Sequence, residues 1–403
     1  MALQGGPALA IDILAMRTLP YGCQTIDEDD LRAVADALRG QRLTCGPLVA
    51  RFEEAVARRV AAPFASACSS GTAALHLAYA AFGFGDGDEI ITSPITFSAT
   101  ASAAYYVGAR VLFADVDPRT GNLDPASVEA LIGRRTRAIV PVHLAGMPAD
   151  LDELTAIARR HGLRIIEDAC HALGATYHNV PIGGGTSDAV VFSFHPVKHI
   201  TTGEGGAVIV RDPKIKQRID RLRHHGIERE PSRLLGVAEG EWTYEVQELG
   251  WNYRLPDVAC ALGLSQLSKL DVFVNSRREL AAYYRQRLAE TFGSDGVEAP
   301  VELPDRTSAY HLFAVAIDFA RFGTTRRDVM ARLSAAGIGT QVHYIPLLAH
   351  PLHAARSREA ARARPGVDHY YARTLSLPLY PSLTNGDVDR VVSELARCLR
   401  GIS

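Results

Sequence analysis

Paired cysteines are missing from this sequence. Its six cysteines, Cys23, Cys45, Cys68, Cys170, Cys260 and Cys398, are scattered without a CxxC spacing, so neither a disulfide framework nor a zinc site is expected, and no other metal site is anticipated. They suit a reducing compartment, and a cytoplasmic location is expected. No uninterrupted apolar run of about 18 residues occurs, so no membrane span is expected. The opening MALQGGPALAIDILAMRTLP lacks the basic segment and long apolar stretch of a secretion signal. Charge of one sign is missing as well. The 43 basic and 45 acidic residues are mixed along the chain and leave a net −2, which excludes a large basic face for nucleic acid and favours a small-molecule substrate. There is no internal repeat and no low-complexity tract. One arginine-rich stretch, 354–365, reads as a solvated loop or helix face.

What is present is an ordinary globular composition. Of 403 residues, 47% are hydrophobic and 22% charged, enough to bury a sizeable core in two domains at roughly 150 residues each or more. Short apolar runs at 89–92, 110–114, 138–142, 163–167, 189–194 and 206–211 read as strands. Between them, 72–82, 125–131 and 151–161 have helical spacing. Strand–helix alternation of this kind predicts a mostly parallel, helix-covered α/β sheet, with ligands bound beyond the carboxyl ends of the strands. After Trp251 the pattern changes. Leu255-Pro256 opens a helical stretch to about 292, with the proline suited to a first helical turn, and alternating segments at 311–318 and 339–345 mix with helices at 325–336 and 388–399. The expected division is an N-terminal arm over 1–30, a large domain over 31–255 and a smaller α+β domain over 256–403.

Polar residues at the predicted strand ends come first in a search for chemistry. Lys198 follows the run 189–194 in an apolar setting, where burial beside other cations lowers an amine's pKa toward the neutral, nucleophilic form. Asp168 ends the run 163–167, and its carboxylate is either a helix cap or a partner for a cationic ring nitrogen. Ser69-Ser70-Gly71-Thr72 precedes a helix, where hydroxyls and N–H groups form either a cap or an anion site. Ser193 adds a hydroxyl, and Phe97 is either core or a stacking ring. An amine, a carboxylate, phosphate donors and a ring-facing aromatic are together what pyridoxal 5′-phosphate (PLP) requires.

Nine ordered segments, from LTCGPLVARFEEAVA through SSGTAALHLA, ITSPITFSATASAA, DVDPRTGNLDP, PVHLAGMPADLDEL, IIEDACHALGA, SFHPVKHITTGEGGAV and GWNYRLPDVACALGLSQL to QVHYIPL, resemble the DegT/DnrJ/EryC1/StrS sugar aminotransferases over roughly residues 20 to 400. The resemblance implies the PLP-dependent transferase type I fold, aspartate-aminotransferase-like. It makes Lys198 the Schiff-base lysine, Asp168 the pyridinium partner, Gly71, Thr72 and Ser193 phosphate contacts, and Phe97 the stacking aromatic. His171 stands where many relatives carry glutamine and is expected near the ring hydroxyl. Asn252 and Arg254 match residues that reach the phosphate from a neighbouring subunit, which implies a homodimer with shared active sites. His195, His343 and Tyr344 are candidate substrate contacts.

FSFHPVKHITTGEGG and QVHYIP look like the PseC-type branch, which aminates C4 of a UDP-linked 4-keto-6-deoxy-N-acetylhexosamine toward pseudaminic acid, with glutamate as amino donor. The continuation after QVHYIP is longer here and poorer in aromatics than that branch shows. A dehydratase of the same fold carries histidine at the lysine position, and Lys198 argues against it. A keto-cyclitol or another nucleotide sugar is compatible with the core motifs, and turnover of a keto-inositol in place of a UDP-4-keto sugar would mark the former. A non-enzymatic PLP-binding regulator would release no 2-oxoglutarate.

Overall fold

The computed structural model describes residues 17–357 and 361–401. Most of the expected 1–30 arm, residues 1–16, and the centre of the arginine-rich stretch, 358–360, lie outside the described residues.

A seven-stranded sheet organises the first two-thirds of the chain. Its strands are β1 (Phe64–Cys68), β2 (Glu89–Thr92), β3 (Arg110–Phe113), β4 (Thr136–Val140), β5 (Arg164–Asp168), β6 (Ala189–Ser193) and β7 (Gly206–Val210), in the spatial order β1-β7-β6-β5-β4-β2-β3. Apolar residues fill both faces, all five of β7 among them, as a sheet covered on two sides requires. Six strands run parallel, and β7 alone opposes its neighbours β1 and β6. The reason lies in the connection: no helix separates β6 from β7, so the chain turns back along its own edge, whereas a parallel return needs a crossover.

Helices cover the sheet. After α1 (Glu28–Arg39) and α2 (Pro47–Arg59) come α3 (Gly71–Ala81), α4 (Ala99–Tyr106), α5 (Pro125–Glu129), α6 (Leu151–His161) and α7 (Pro213–Leu222). Helix α3 is alanine-rich and almost wholly buried, which lets it pack closely against β6, β7 and α4. The expected strands and the helices at 72–82, 125–131 and 151–161 all appear within a few residues of their predicted ends.

The predicted helical stretch to 292 is two helices, α8 (Asp257–Ser268) and α9 (Leu270–Phe292). The break falls at Lys269 (φ −101°, ψ 0°), whose ammonium lies 2.7 Å from both Asp27 and Asp30 and so ties the junction to the start of α1. Pro256 is the N-cap of α8, one position before the first turn. The first turns of α9 place Leu270, Phe273 and Val274 in the core beneath the sheet, while Leu280, Tyr284, Leu288 and Phe292 enter a second core. That second core lies between α9, α10 (Arg326–Ala335), α13 (Asn385–Arg400) and a small antiparallel sheet of β8 (Val297–Glu298), β9 (Phe313–Ile317) and β10 (Thr374–Leu377), with β9 central.

Two expectations need correction. Segment 339–345 is not a strand: its one ladder contact is Gln341 with Ser376, and the backbone then leaves the sheet, through a cis peptide at His343–Tyr344, to enter the site described below. The arginine-rich stretch is not simply a solvated face. It runs from α11 (Pro351–Arg356) to the start of α12 (Pro365–Arg373), and Arg364 is buried, its Nε donating to the Phe113 carbonyl at 2.9 Å. Burying a guanidinium among backbone carbonyls satisfies its donors, which solvent would otherwise do.

Candidate active site

The carboxyl ends of β1, β5 and β6 open onto a cavity of about 670 Å³. Lys198, Asp168, Gly71, Thr72, Phe97, His171, Ser193, His195, His343 and Tyr344 all line it. Of the fourteen residues singled out from the sequence, these ten and Ser70 are therefore in one place.

Asp168 closes β5, and its carboxylate does two things. Oδ1 accepts the Cys170 N–H at 3.2 Å, which closes a local turn rather than capping a helix, since no helix follows β5 directly, and Oδ2 accepts the Thr100 hydroxyl at 2.6 Å. Those bonds fix the orientation of a buried carboxylate at the cavity wall. Lys198 sits in the turn after β6, its N–H donating to the His195 carbonyl at 2.9 Å. Burial pulls its pKa below the ordinary lysine value, against the opposing influence of Cys170 and Asp168. An amine so placed is more often neutral and able to attack a carbonyl.

The amino end of α3 forms another wall. The Ser70 hydroxyl caps it by accepting the Ala73 N–H at 3.0 Å. The Gly71 and Thr72 N–H groups belong to the first turn, which has no intrahelical acceptors, and so are available to an anion. Gly71 is required there: a Cβ would stand 2.9 Å from Ser193 Cβ and 3.2 Å from Cys170 Sγ.

His171 is buried, with Nε2 3.1 Å from the Tyr344 hydroxyl and Nδ1 without a hydrogen-bond partner among the described residues. Its ring lies against His311, centroids 4.3 Å apart. Burial first, then Lys198, His343 and His199, hold its pKa well below the usual imidazole range. His343 is held to about 4 by burial and by Lys198, and its Nδ1 is 2.8 Å from the Ser376 hydroxyl. Phe97, 61% exposed, stands at the mouth with its ring centroid 6.3 Å from that of Tyr344. His195 is exposed there too.

Asn252 and Arg254 do not line the cavity of their own chain. Asn252 is exposed and bridges to His224, and Arg254 Nη1 lies 2.8 Å from His224 Nδ1. Sequence reasoning missed Thr100, Tyr21, Glu204 and His350, which line or support the cavity. It also missed the ring cluster of His199 and His311 behind Lys198.

These residues fit pyridoxal 5′-phosphate. The cavity holds an amine, an oriented carboxylate, a helix terminus whose glycine lets the Ser193 hydroxyl lie close against the first turn, and an orphaned buried imidazole nitrogen that a ligand's hydroxyl could satisfy. Among the described residues no group of side chains could hold a metal ion, and no helix is long and apolar enough to cross a membrane.

Residues 24–396 match the profile of the DegT/DnrJ/EryC1/StrS aminotransferase family. The spore coat polysaccharide biosynthesis protein SpsC of Bacillus subtilis (strain 168) is 38% identical over 384 residues, 95% of this chain and 97% of that protein. Helicobacter pylori PseC, an aminotransferase involved in the biosynthesis of pseudoaminic acid, superposes with a TM-score of 0.88 at 30% identity, covering 96% of this chain and 100% of that one. DesI, solved in the presence of its TDP-sugar product, superposes with a TM-score of 0.84 at 34% identity, covering 95% and 93%.

Proposed function

Because the chain belongs to the DegT/DnrJ/EryC1/StrS aminotransferase family, and so is a PLP-dependent sugar aminotransferase of fold type I, we propose that it moves an amino group from glutamate to C4 of a UDP-linked 4-keto-6-deoxy-N-acetylhexosamine. Glutamate leaves as 2-oxoglutarate, and the ketone becomes an amine. The observation that carries this reading is the convergence of Lys198, Asp168 and the α3 terminus on one cavity.

When bound, PLP supplies an aldehyde to receive the amino group and a protonated ring that withdraws electrons from the carbon losing its proton. The chain's residues do the rest. Asp168, fixed by Thr100 and the Cys170 N–H, holds the positive charge on the ring nitrogen. Gly71, Thr72 and Ser193 would receive the phosphate, Phe97 would cover the ring, and His171 would offer its unpartnered Nδ1 to the ring hydroxyl. Lys198 Nζ, whose pKa burial lowers, would take the proton from the glutamate Cα and later deliver one to C4 of the sugar. His195, His343 and Tyr344 contact the substrate.

Among the described lining residues Lys198 is the one lysine and there is no arginine. A phosphate, a dicarboxylate and a nucleotide diphosphate need more positive charge than that. This supports a homodimer in which Arg254 and Asn252 of each copy complete the other's site. A second reading, a 4-keto sugar on another nucleotide, is supported by the likeness to DesI with its TDP-sugar product and by the departure of the chain after Pro346 from the PseC-type pattern.

The test is an absorbance spectrum of the PLP-loaded protein before and after glutamate, then with UDP- and dTDP-linked 4-keto sugars in turn. Glutamate should bleach the visible band of lysine-bound PLP, and one sugar should restore it. In Lys198→Ala the band should be lost and turnover should fall by at least about 10²-fold. A Lys198→Ala protein with full turnover would sink the reading.

A further inference from the structure

We propose that His350 is a sugar-contacting specificity residue and that His353, one helical turn on, is the positioning residue that holds it in place. The inference rests on the sugar aminotransferase reading and assigns part of its specificity.

The mouth of the cavity has two walls. One is the start of α4, with Phe97 and Ser98, and the other is the stretch after Tyr344, with Ile345 and His350. Phe97 and Ile345 are 61% and 45% exposed, and His350 is exposed as well, so these residues meet solvent at the edge where a bulky second substrate must enter. His350 is the N-cap residue of α11, and its ring has no hydrogen-bond partner among the described residues. An imidazole can both donate and accept, which matches sugar hydroxyls and an acylamino group better than it matches a hydrocarbon.

His353 is 2% exposed and uses both ring nitrogens on α4. Nε2 is 3.1 Å from the Ser98 hydroxyl, and Nδ1 is 3.3 Å from the Tyr105 hydroxyl. Ser98 is itself a wall residue, so the two walls are pinned together through this one ring. The Leu347 N–H adds a bond to the Pro94 carbonyl at 2.9 Å. The backbone then couples the pair: the His353 and Ala354 N–H groups both donate to the His350 carbonyl, at 3.1 and 3.0 Å. Releasing His353 from α4 would let the first turn of α11, and His350 with it, move away from the opening. His350 and His353 themselves make no hydrogen bond to Asp168, Thr100 or the α3 terminus; the opposite wall does, since the Phe97 carbonyl accepts the Thr100 hydroxyl at 3.2 Å, so changes at 350 and 353 should move the sugar KM more than the half-reaction with glutamate.

The experiment compares His350→Ala, His353→Ala and His353→Gln with the unaltered holoenzyme, using the nucleotide 4-keto sugar that the unaltered enzyme turns over in the panel. Two quantities are read: the rate at which glutamate bleaches the cofactor band, and KM against kcat for the sugar. For His350→Ala and His353→Ala, KM for the sugar should rise about tenfold, the loss of one or two hydrogen bonds, well beyond any change in the bleaching rate. His353→Gln, which can still bond one hydroxyl, should recover part of the loss. An unchanged sugar KM in His350→Ala, an exposed position that unfolding does not complicate, overturns the specificity role. A raised KM in His350→Ala but not in His353→Ala overturns the positioning role. If glutamate fails to bleach the unaltered enzyme, it is the aminotransferase reading that falls.

Discussion

Lys198 shares its interior with four imidazoles, those of His171, His199, His311 and His343, and burial depresses the pKa of every one. A histidine kept neutral in the fold but free to protonate when unfolded makes the unfolded chain bind more protons, so stability must fall as pH drops. For His343, held to about 4, the window opens near the ordinary value of about 6.5 and closes near 4. Each such residue adds a slope of about 1.4 kcal/mol per pH unit within its window. Urea unfolding of the holoenzyme at pH 7, 6 and 5 should therefore show a midpoint that falls steadily, and a flat profile would contradict the neutral cluster. Sequence revealed this neighbourhood unevenly. Lys198 and Asp168 stand at the ends of strands, where local pattern suffices to pick them out. Thr100 bonds Asp168 across 68 positions, and His311 reaches His171 from the other core. No local signal marks either pairing.

Among the elements, α2 depends on a residue far from it in sequence. Asp257, wholly buried at the start of α8, accepts the Gly46 N–H at 2.7 Å and the Leu48 N–H at 3.0 Å, capping α2 across the fold. Gly46 is obligatory, since a Cβ there would lie 2.5 Å from that carboxylate. Asp257→Ala should cost about 1–3 kcal/mol in a denaturant titration, because two donors lose a charged acceptor, and Asp257→Asn should cost less. Equal stability of Asp257→Ala and the unaltered chain would show that water caps the helix instead. The strands and helices themselves were legible because each carries its own periodicity. The long helix that proved to be two was not, because its break is set by Lys269 pairing with Asp27 and Asp30 on α1.

On the scale of the whole molecule, the cation-poor cavity and the position of Arg254 outside it lead to a complementation experiment. Lys198→Ala and Arg254→Ala homodimers should each be strongly impaired. Co-refolding them in equal amounts should restore up to about a quarter of full activity, since half the dimers are mixed and each mixed dimer has one intact site. No recovery would show that each chain completes its own site. Helix α9 sets a second property at this scale. It is a single rod whose one end is sheathed in side chains of the sheet's core and whose other end is the axle of the second core. Melting either core strips half the rod of its packing and exposes apolar surface that the other half must then anchor alone. The two cores should consequently unfold in one calorimetric transition, two separate transitions would show them independent, and a fragment cut on either side of the rod should carry an open, adhesive face into solution.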